Sequence, residues 1–522
     1  MSPLSPRQVA HRALGFFVAA LLARLVAAAA SGLYVDEAFV YFMSRLDLGQ
    51  IVGAARPDNN PPLWYFVLHP LARITRDGLL LRLPSSVMGA LAAPLTYLAG
   101  RTLGERVGLV SGALAAVAYT SWLVDAQTRA YGLLAALCAL VLATTLEAPR
   151  EPLPPWRWAV LAGASVTLPL LHLVGWLVDL AMLAASLLPG TPSRWRRAAC
   201  FALGVASGAA WMAYAAAGTA SALHGHQRHP SQLAEMALLP STLTGLSMPF
   251  HWSWLRPTAL APAGSLVVSL LVGAAAVHGL IVIGRTRPRA AATLALYAGV
   301  PLCGIAAGAM MGLQSYQNRY LVPVAGAIFV ALAASANTCF ASGEPAAPRP
   351  GMRLLGTALC AGAVGVNLVT LACFPFDRYL HNQDWRQAAA WIEHRELDGD
   401  VLVACVPYSL VGLDFYDHAP DIDVDFSTPA TMQLRFSPQY KGAEQMAVPP
   451  GLLDPGLAAR LRGRRVFLLL NQVDDATRQR ALEVFREGWL LADTLALDSI
   501  GGWGRIEAYA LVPNGERAAE PR

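Results

Sequence analysis

The sequence has very few lysines and few charged residues of any kind. All but one of its 39 basic residues are arginine, Lys441 being the exception, and charged residues make up 14% of the 522-residue chain. A phosphate-binding site in the apolar part of the chain would therefore have to use arginine. The net charge of +5 is modest, and it gives no case for nucleic-acid binding.

The seven cysteines lack the spacing of a redox or metal motif. Most of them lie in apolar runs and none forms a Cys-x-x-Cys pair, so we interpret them as small core residues. Motifs of the GxGxxG, P-loop, HExxH and GxSxG types are also missing from any usable context. The acidic fragment 421–425 resembles a metal loop in composition alone, and we interpret it as an exposed strand.

Apolar residues, in contrast, are abundant. They make up 55% of the chain, and the mean hydropathy is +0.44, which is typical of polytopic membrane proteins. Ten apolar windows have about the length that a bilayer requires. They cover residues 12–30, 80–100, 107–123, 130–146, 158–189, 197–217, 263–284, 291–312, 319–340 and 354–374.

The arginines between these windows predict the topology. If all of the clusters are cytoplasmic, the window 158–189 has both ends on the same side of the membrane. A single helix cannot do this, so we predict two short spans with a turn near Leu171-His172 or Val174-Gly175. The total becomes eleven spans, with the amino terminus inside and the carboxyl terminus outside.

The residues after Phe374 differ in character from those before it. Helical and strand-like stretches alternate there, which predicts a small α/β domain. We therefore predict a membrane domain, 1–374, with an outer loop at 31–80, and an extracytoplasmic α/β domain, 375–522. The predicted strands lie near 401–406, 465–470, 489–497 and 505–512, and the predicted helices begin at Trp385 and cover 454–463 and 475–486.

Two adjacent carboxylates, Asp36 and Glu37, follow the first predicted span directly. An aromatic, amphipathic stretch comes next, which suggests a reaction centre at one membrane surface. Either carboxylate could serve as a general base for an acceptor hydroxyl or amine. Alternatively, Asp36 caps an interfacial helix at 37–46 and Glu37 interacts with its positive end. The residues alone leave both interpretations open.

Three further polar motifs lie at the predicted outer ends of spans. The segment 58–65 reads Asp-Asn-Asn-Pro-Pro-Leu-Trp-Tyr; it is an interfacial turn in which Asn60 could orient a substrate hydroxyl. The turn 125–132 is a solvated hairpin, or it presents Asp125 as a second acid and Arg129 as a phosphate ligand. Arg319, between Tyr316 and Tyr320, either reaches to lipid head-groups or binds a substrate.

The order of these motifs resembles that of the polyprenol-phosphate-sugar-dependent glycosyltransferases of the GT-C fold. This family includes the protein O-mannosyltransferases and the lipid A aminoarabinose transferase. Asp36-Glu37 resembles the family's acidic motif after the first span, and residues 60–65 resemble its His/Asn-Pro-Pro-Leu-Tyr-Tyr segment. Residues 125–131 resemble its acidic-x-Arg-x-Tyr turn, and residues 319–323 its Arg-Tyr-Leu-x-Pro late span.

The resemblance implies a polytopic α-helical membrane protein of the GT-C type, with a C-terminal α/β domain, in the bacterial inner membrane. It implies an inverting transferase that takes a sugar from a polyprenyl-phosphate donor at the outer face. The acceptor is an envelope glycan, lipid or protein, and membrane lipids are further partners. No cofactor is assigned, and a divalent metal ion is left open. A transporter or lipid carrier without chemistry is the alternative.

The resemblance also implies roles for individual residues. Asp36 is the expected catalytic base and Glu37 a secondary one, while Arg129 and Arg319 are expected to hold the donor phosphate. No residue is assigned to a metal. The expected substrate-binding residues are Asn60, Asp125, Tyr131, His172, Tyr316 and Tyr320, where His172 has a purely structural role as its alternative.

Overall fold

The structure is a computed structural model of the chain. The residues that it describes are 4–56, 60–146, 154–216, 236–251, 261–311, 318–337, 350–377, 380–381, 383–405, 409–417, 423–425, 433–435, 439–440, 443–447, 453–471, 473–497 and 505–515.

The chain forms two compact units. The first comprises Met1–Ala29 with Asp47–Pro375, and the second comprises Ala30–Leu46 with Phe376–Arg522. The residues that carry the acidic pair therefore belong to the same compact unit as the C-terminal part of the chain. The predicted domain division after residue 374 assigned residues 30–46 to the membrane domain; as a functional division it stays a prediction.

Helices dominate the first unit. Long apolar segments form helices because a helix satisfies its backbone hydrogen bonds internally, as lipid surroundings require. The helices up to residue 373, including α2 of the second unit, are α1 (Pro6–Ala30), α2 (Val35–Arg45), α3 (Leu48–Ala55), α4 (Leu63–Ile74), α5 (Gly78–Ala90), α6 (Ala92–Arg101), α7 (Glu105–Val117), α8 (Tyr119–Asp125), α9 (Tyr131–Leu146), α10 (Pro155–Leu171), α11 (Leu173–Ser186), α12 (Arg194–Ala216), α13 (Leu239–Thr244), α14 (Ala261–Thr286), α15 (Pro288–Met310), α16 (Ala325–Ala336) and α17 (Pro350–Cys373).

The predicted apolar windows all contain helices. Seven helices in the described part of the chain are long and apolar enough to cross a membrane, or eight if α7 and α8, bent by 52°, form one broken span. The helices α9, α10 and α11 are shorter, with 16, 17 and 14 residues. The polytopic fold class is therefore confirmed, while the count of eleven spans stays a prediction.

The window 158–189 is divided, as the arginine pattern predicts. α10 ends at Leu171 and α11 begins at Leu173. The Ser165 hydroxyl donates to Asp179 Oδ1 at 2.7 Å, and a Cβ on Gly175 would lie 2.3 Å from the carbonyl oxygen of Leu168. These two pairs have nearly the same sum of residue numbers, so the helices run antiparallel. The predicted turn at Leu171-His172 is confirmed.

Three arginines join helix ends at one end of the helical bundle. Arg197 donates to the Thr145 carbonyl at 3.1 Å and Arg289 to the Pro189 carbonyl at 3.0 Å. Arg287 donates to the carbonyl of Thr102. We call this the arginine end of the first unit. Its composition agrees with the prediction that the arginine clusters share one side of the membrane.

The second unit contains a mixed six-stranded sheet. Its strand order is β4-β5-β1-β6-β8-β7, with β1 parallel to β5 and β6 and the other pairs antiparallel. Strand β6 is buried along its whole length, so it forms the centre of the unit's core. The strands are β1 (Val401–Ala404), β2 (Asp423–Asp425), β3 (Gln433–Arg435), β4 (Gln439–Tyr440), β5 (Ala443–Ala447), β6 (Val466–Asn471), β7 (Trp489–Leu497) and β8 (Ile506–Pro513).

Four helices complete the C-terminal part of the second unit: α18 (Trp385–Glu393), α19 (Ser409–Asp417), α20 (Pro455–Leu461) and α21 (Asp475–Arg486). The predicted α/β character of the tail is therefore confirmed. The predicted strand in 421–425 is also found, because Asp423–Asp425 pairs with Gln433–Arg435 in a separate antiparallel ladder.

Candidate functional site

Arg129 lies in the turn between α8 and α9, and two neighbouring helices hold that turn. The Ser85 hydroxyl donates to the Arg129 carbonyl at 2.8 Å, and the Trp64 indole nitrogen donates to the Thr128 carbonyl at 3.4 Å. A Cβ on Gly132 would lie 2.0 Å from the Ser85 carbonyl oxygen, so glycine is required for this close approach. The backbone around Arg129 is therefore held in place before any ligand binds.

The Arg129 side chain connects the turn to the first loop. Its guanidinium donates to Asn60 Oδ1 at 3.4 Å, and its Cζ lies 5.6 Å from the ring centroid of Tyr131. The residue is 7% exposed. Two of the predicted motifs, separated by more than sixty residues in the sequence, thus meet at this arginine.

Arg319 approaches the same tyrosine from a third motif. Its Cζ lies 5.9 Å from the ring centroids of both Tyr131 and Tyr320. The His172 ring lies 5.5 Å from the Tyr131 ring and 5.2 Å from the Tyr320 ring. We call Arg129, Tyr131, His172, Arg319 and Tyr320 the arginine–aromatic cluster. The structure therefore brings together five residues from three segments that sequence analysis selected separately.

His172 is neutral in this cluster. It lies in the turn between α10 and α11, where burial, followed by the charges of Arg129 and Arg319, lowers its pKa to about 3. Its Nδ1 accepts a hydrogen bond from the backbone nitrogen of Val174 at 3.2 Å. The positive charge of the cluster therefore comes from its two guanidinium groups, while the His172 ring packs against Tyr131 and Tyr320.

The Tyr131 hydroxyl is a further polar group of the cluster. Tyr131 is 1% exposed, and within the described residues its hydroxyl has no hydrogen-bond partner. Buried hydroxyl groups usually have partners in folded proteins, so an exception calls for a ligand or a water molecule. Since both guanidinium groups lie within 6 Å of the centre of its ring, this hydroxyl could donate to an anion.

Asp125 forms an ion pair with an arginine that sequence analysis missed. Its Oδ2 accepts hydrogen bonds from Arg24 Nη2 at 2.6 Å and Arg24 Nε at 3.2 Å, and both side chains are completely buried. A Cβ on Gly89 would lie 2.6 Å from the Asp125 Cβ. The pair thus connects α1, α5 and α8. A charged residue inside an apolar span was the available signal for Arg24.

The acidic pair lies at the start of α2, in the second unit. Tyr34, rather than Asp36, occupies the N-cap position, so the interpretation of Asp36 as the helix cap is wrong. Glu37 is completely buried, and its Oε2 accepts a hydrogen bond from the Tyr34 backbone nitrogen at 3.2 Å. The side chain of Glu37 therefore stabilises the start of the helix, and the partly exposed Asp36 is the more accessible carboxylate.

Residues of the C-terminal part hold the start of α2. The Gln383 Oε1 accepts hydrogen bonds from the Val35 backbone nitrogen at 3.4 Å and from the Trp385 indole at 2.7 Å. Gln383 Nε2 donates to Asn471 Oδ1 at 3.3 Å. In addition, the Leu33 backbone nitrogen donates to the Tyr416 hydroxyl at 2.6 Å. The position of Asp36 within this unit thus depends on residues more than 340 positions away.

Some predicted features lie partly or wholly outside the described residues. Tyr316 is one of them, the motif 58–65 is described only from Asn60, and the segment 421–425 only from Asp423. Among the residues that are described, no group of three histidine, cysteine, aspartate or glutamate side chains could hold a metal ion.

No family model matches the chain, and no curated protein matches it in sequence. Its fold, however, is similar to that of solved membrane proteins. The crystal structure of ArnT from Cupriavidus metallidurans, bound to undecaprenyl phosphate, matches with a TM-score of 0.51 at 17% identity, over 98% of this chain and 99% of that chain.

A weaker likeness links the chain to an oligosaccharyltransferase of Archaeoglobus fulgidus. The structure of that protein, AglB, with an inhibitory peptide and a dolichol-phosphate covers 87% of this chain and 69% of its own, with a TM-score of 0.47 and 11% identity. The match to ArnT extends over nearly the whole of both chains. The chain therefore has the fold of ArnT, which is the GT-C fold that the order of its motifs predicts.

Proposed function

We propose that the protein is a membrane glycosyltransferase that moves a sugar from a polyprenyl-phosphate donor to an envelope lipid, glycan or protein. The observation that supports this most directly is the arginine–aromatic cluster, where two guanidinium groups lie within 6 Å of the centre of the Tyr131 ring. The ArnT structure of the same fold holds undecaprenyl phosphate, a ligand with the chemistry that such a cluster suits.

Charge supports a phosphate as the ligand of the cluster. Arginine offers paired donors in a planar fork, which matches the oxygens of a phosphate. Asp125, the carboxylate of the same turn, forms its own ion pair with Arg24. The buried Tyr131 hydroxyl is a further donor in the same cluster. In a buried site these groups would stabilise the charge that develops on a departing phosphate.

The proposed reaction is a direct displacement with inversion. An acceptor oxygen or nitrogen attacks the anomeric carbon of the donor sugar and forms the new bond. The bond from that carbon to the phosphate oxygen breaks, and its electron pair leaves with the polyprenyl phosphate. Asp36 takes the proton of the acceptor as general base. Glu37 then acts by holding the start of α2 rather than by contacting the acceptor.

The proposed setting is the bacterial inner membrane. The protein is a multi-pass membrane protein with the fold of ArnT. We place the arginine end in the cytoplasm, since inside loops are enriched in arginine and lysine. The arginine–aromatic cluster then faces outward, because α9 extends about 21 Å from Tyr131 to Thr145, which accepts a hydrogen bond from Arg197.

The experiment that tests this function follows the donor rather than the unknown acceptor. Purified protein in nanodiscs is given a synthetic undecaprenyl-phosphate sugar and an envelope extract, and free undecaprenyl phosphate is measured by mass spectrometry. Transfer predicts that wild-type protein releases it only when the extract is present. A carrier without chemistry predicts intact donor under all conditions, and that result would disprove the proposal.

A further inference from the structure

A groove opens at the arginine end of the first unit. It has a volume of ≈ 680 Å³ and lies between α7, α16 and α17. Its polar residues come from the start of α7, the first eight residues of α17 and the end of α16. Most of its apolar residues lie further along these helices. The groove therefore has a polar mouth and an apolar floor.

Two arginines form the mouth. Arg106 and Arg353 both line the groove and are exposed, and Asn337 and Thr357 lie with them. Neither guanidinium has an ion pair or a hydrogen bond to any residue in the described ranges. Arg197, Arg287 and Arg289 of the same end instead donate to carbonyl groups of neighbouring helices. The mouth is thus a place where two positive charges have no counter-ion from the described protein.

The floor is apolar and long. Leu109, Val110, Ala333 and Val364 are among its residues. From Arg353 to Gly365, the groove follows α17 for about 18 Å. A Cβ on Gly365 would meet no atom within 4 Å, so the far end of the floor is open. These dimensions suit an extended hydrocarbon chain.

We propose that this groove binds an anionic phospholipid, with its phosphate between Arg106 and Arg353 and an acyl chain along the floor. Basic pockets between spanning helices attract the phosphate of anionic lipids. The apolar floor favours a lipid over a free phosphate, because an acyl chain can make dispersion contacts along it and inorganic phosphate has no apolar part. The site is independent of the proposed transfer reaction. The groove lies at the arginine end, where α9 ends, while the arginine–aromatic cluster lies at the start of α9.

The test measures lipid binding and needs no activity. Delipidated protein in detergent is titrated with phosphatidylglycerol, phosphatidylcholine or inorganic phosphate, and thermal unfolding is followed. A ligand that binds the folded state raises Tm in a saturable way. We expect this response with phosphatidylglycerol, a much weaker one with phosphatidylcholine, and none with inorganic phosphate at the same concentration.

Two kinds of variant test separately the contact with the lipid phosphate and the contact with the acyl chain. Arg106→Gln and Arg353→Gln should each raise the half-saturating concentration of phosphatidylglycerol about fivefold, as expected for the loss of one arginine beside an anionic lipid. Gly365→Leu keeps both arginines but fills the floor, and it should weaken the response to a similar extent.

The matched controls lie outside the groove. Arg285→Gln removes an exposed arginine from the same end, and Gly299→Leu adds a side chain on α15 where a Cβ would also meet nothing within 4 Å. Both should respond like wild type. An equal response to all three ligands, or unchanged titrations in the arginine and Gly365→Leu variants, would overturn the proposal.

Discussion

Arg129 and Arg319 are the residues where the difference between arginine and lysine becomes measurable. Lysine keeps the charge but loses the planar fork of donors. We expect Arg129→Lys and Arg319→Lys to raise the donor KM about tenfold each, with little change in the acceptor requirement, when donor turnover is titrated in nanodiscs. If these arginines only reach to lipid head-groups, lysine should be fully acceptable. Arg285→Lys, at the arginine end, is the control.

The proposed role of Asp36 as general base can be tested by substitution. Asp36→Asn keeps the size of the side chain and removes its basicity, so kcat should fall at least about a hundredfold, while expression and Tm stay as in wild type. Asp47→Asn is the matched control, because Asp47 is a carboxylate of the same loop whose side chain is 77% exposed. Normal turnover by Asp36→Asn would show that another group accepts the proton.

The buried pair Arg24–Asp125 predicts a coupled effect on stability. Asp125→Ala leaves a buried charge without its partner, which costs about 3–5 kcal/mol, and Tm should fall accordingly. Replacing both residues by apolar ones, Arg24→Met with Asp125→Leu, should recover most of that loss. If the double variant recovers turnover as well, the role of Asp125 is structural. A double variant that folds but is inactive would instead support the substrate-binding role predicted from the sequence.

At the scale of elements, α2 depends on the C-terminal part of the second unit. Gln383 is 5% exposed and accepts hydrogen bonds from Val35 and Trp385. Gln383→Ala leaves these donors without their acceptor, which costs about 1–3 kcal/mol. Since this disturbs the helix that carries the base, we expect kcat to fall about tenfold while the donor KM stays constant.

Two further variants test whether the effect of Gln383→Ala is specific to the start of α2. Gln387→Ala removes the same side chain from a half-buried position one turn into α18, and it should leave kcat near wild type. Tyr416→Phe removes the hydroxyl that accepts from Leu33, and it should act in the same direction as Gln383→Ala. An equal loss of kcat in Gln383→Ala and Gln387→Ala would indicate general destabilisation instead.

At the scale of the whole molecule, topology is the main open prediction. An odd number of spans and an inside amino terminus place everything after Phe374 outside. Alkaline phosphatase fused after Phe374 should therefore be active, because that enzyme requires an oxidising compartment. The same reporter inserted at Thr191, at the arginine end, should be inactive. Activity at Thr191 but not after Phe374 would invert the topology and place the arginine–aromatic cluster inside.

Local patterns in the sequence predicted the apolar helices of the first unit, and in the second unit they predicted strands β1, β2, β6, β7 and β8 and helices α18, α20 and α21. Strands β3 to β5 and helix α19 were not predicted. Hydrophobic runs and alternation report the environment of each segment directly. Even the division of 158–189 followed from local charge, since arginines at both ends forced a turn. The same reasoning selected Asn60, Arg129, His172 and Arg319, because polar residues at the ends of apolar spans are unusual enough to be noticed.

Tertiary structure alone decided which of these residues meet. Arg24 lies 101 positions from Asp125, and Gln383 lies 348 positions from Val35, distances over which no local pattern carries information. The resemblance assigned Asp125 to substrate binding and Glu37 to catalysis. In the folded chain, Asp125 forms an ion pair with Arg24, and Glu37 accepts a hydrogen bond from the Tyr34 backbone nitrogen. The reason is physical: burial makes a carboxylate require a partner, and only the folded chain determines which partner is within reach.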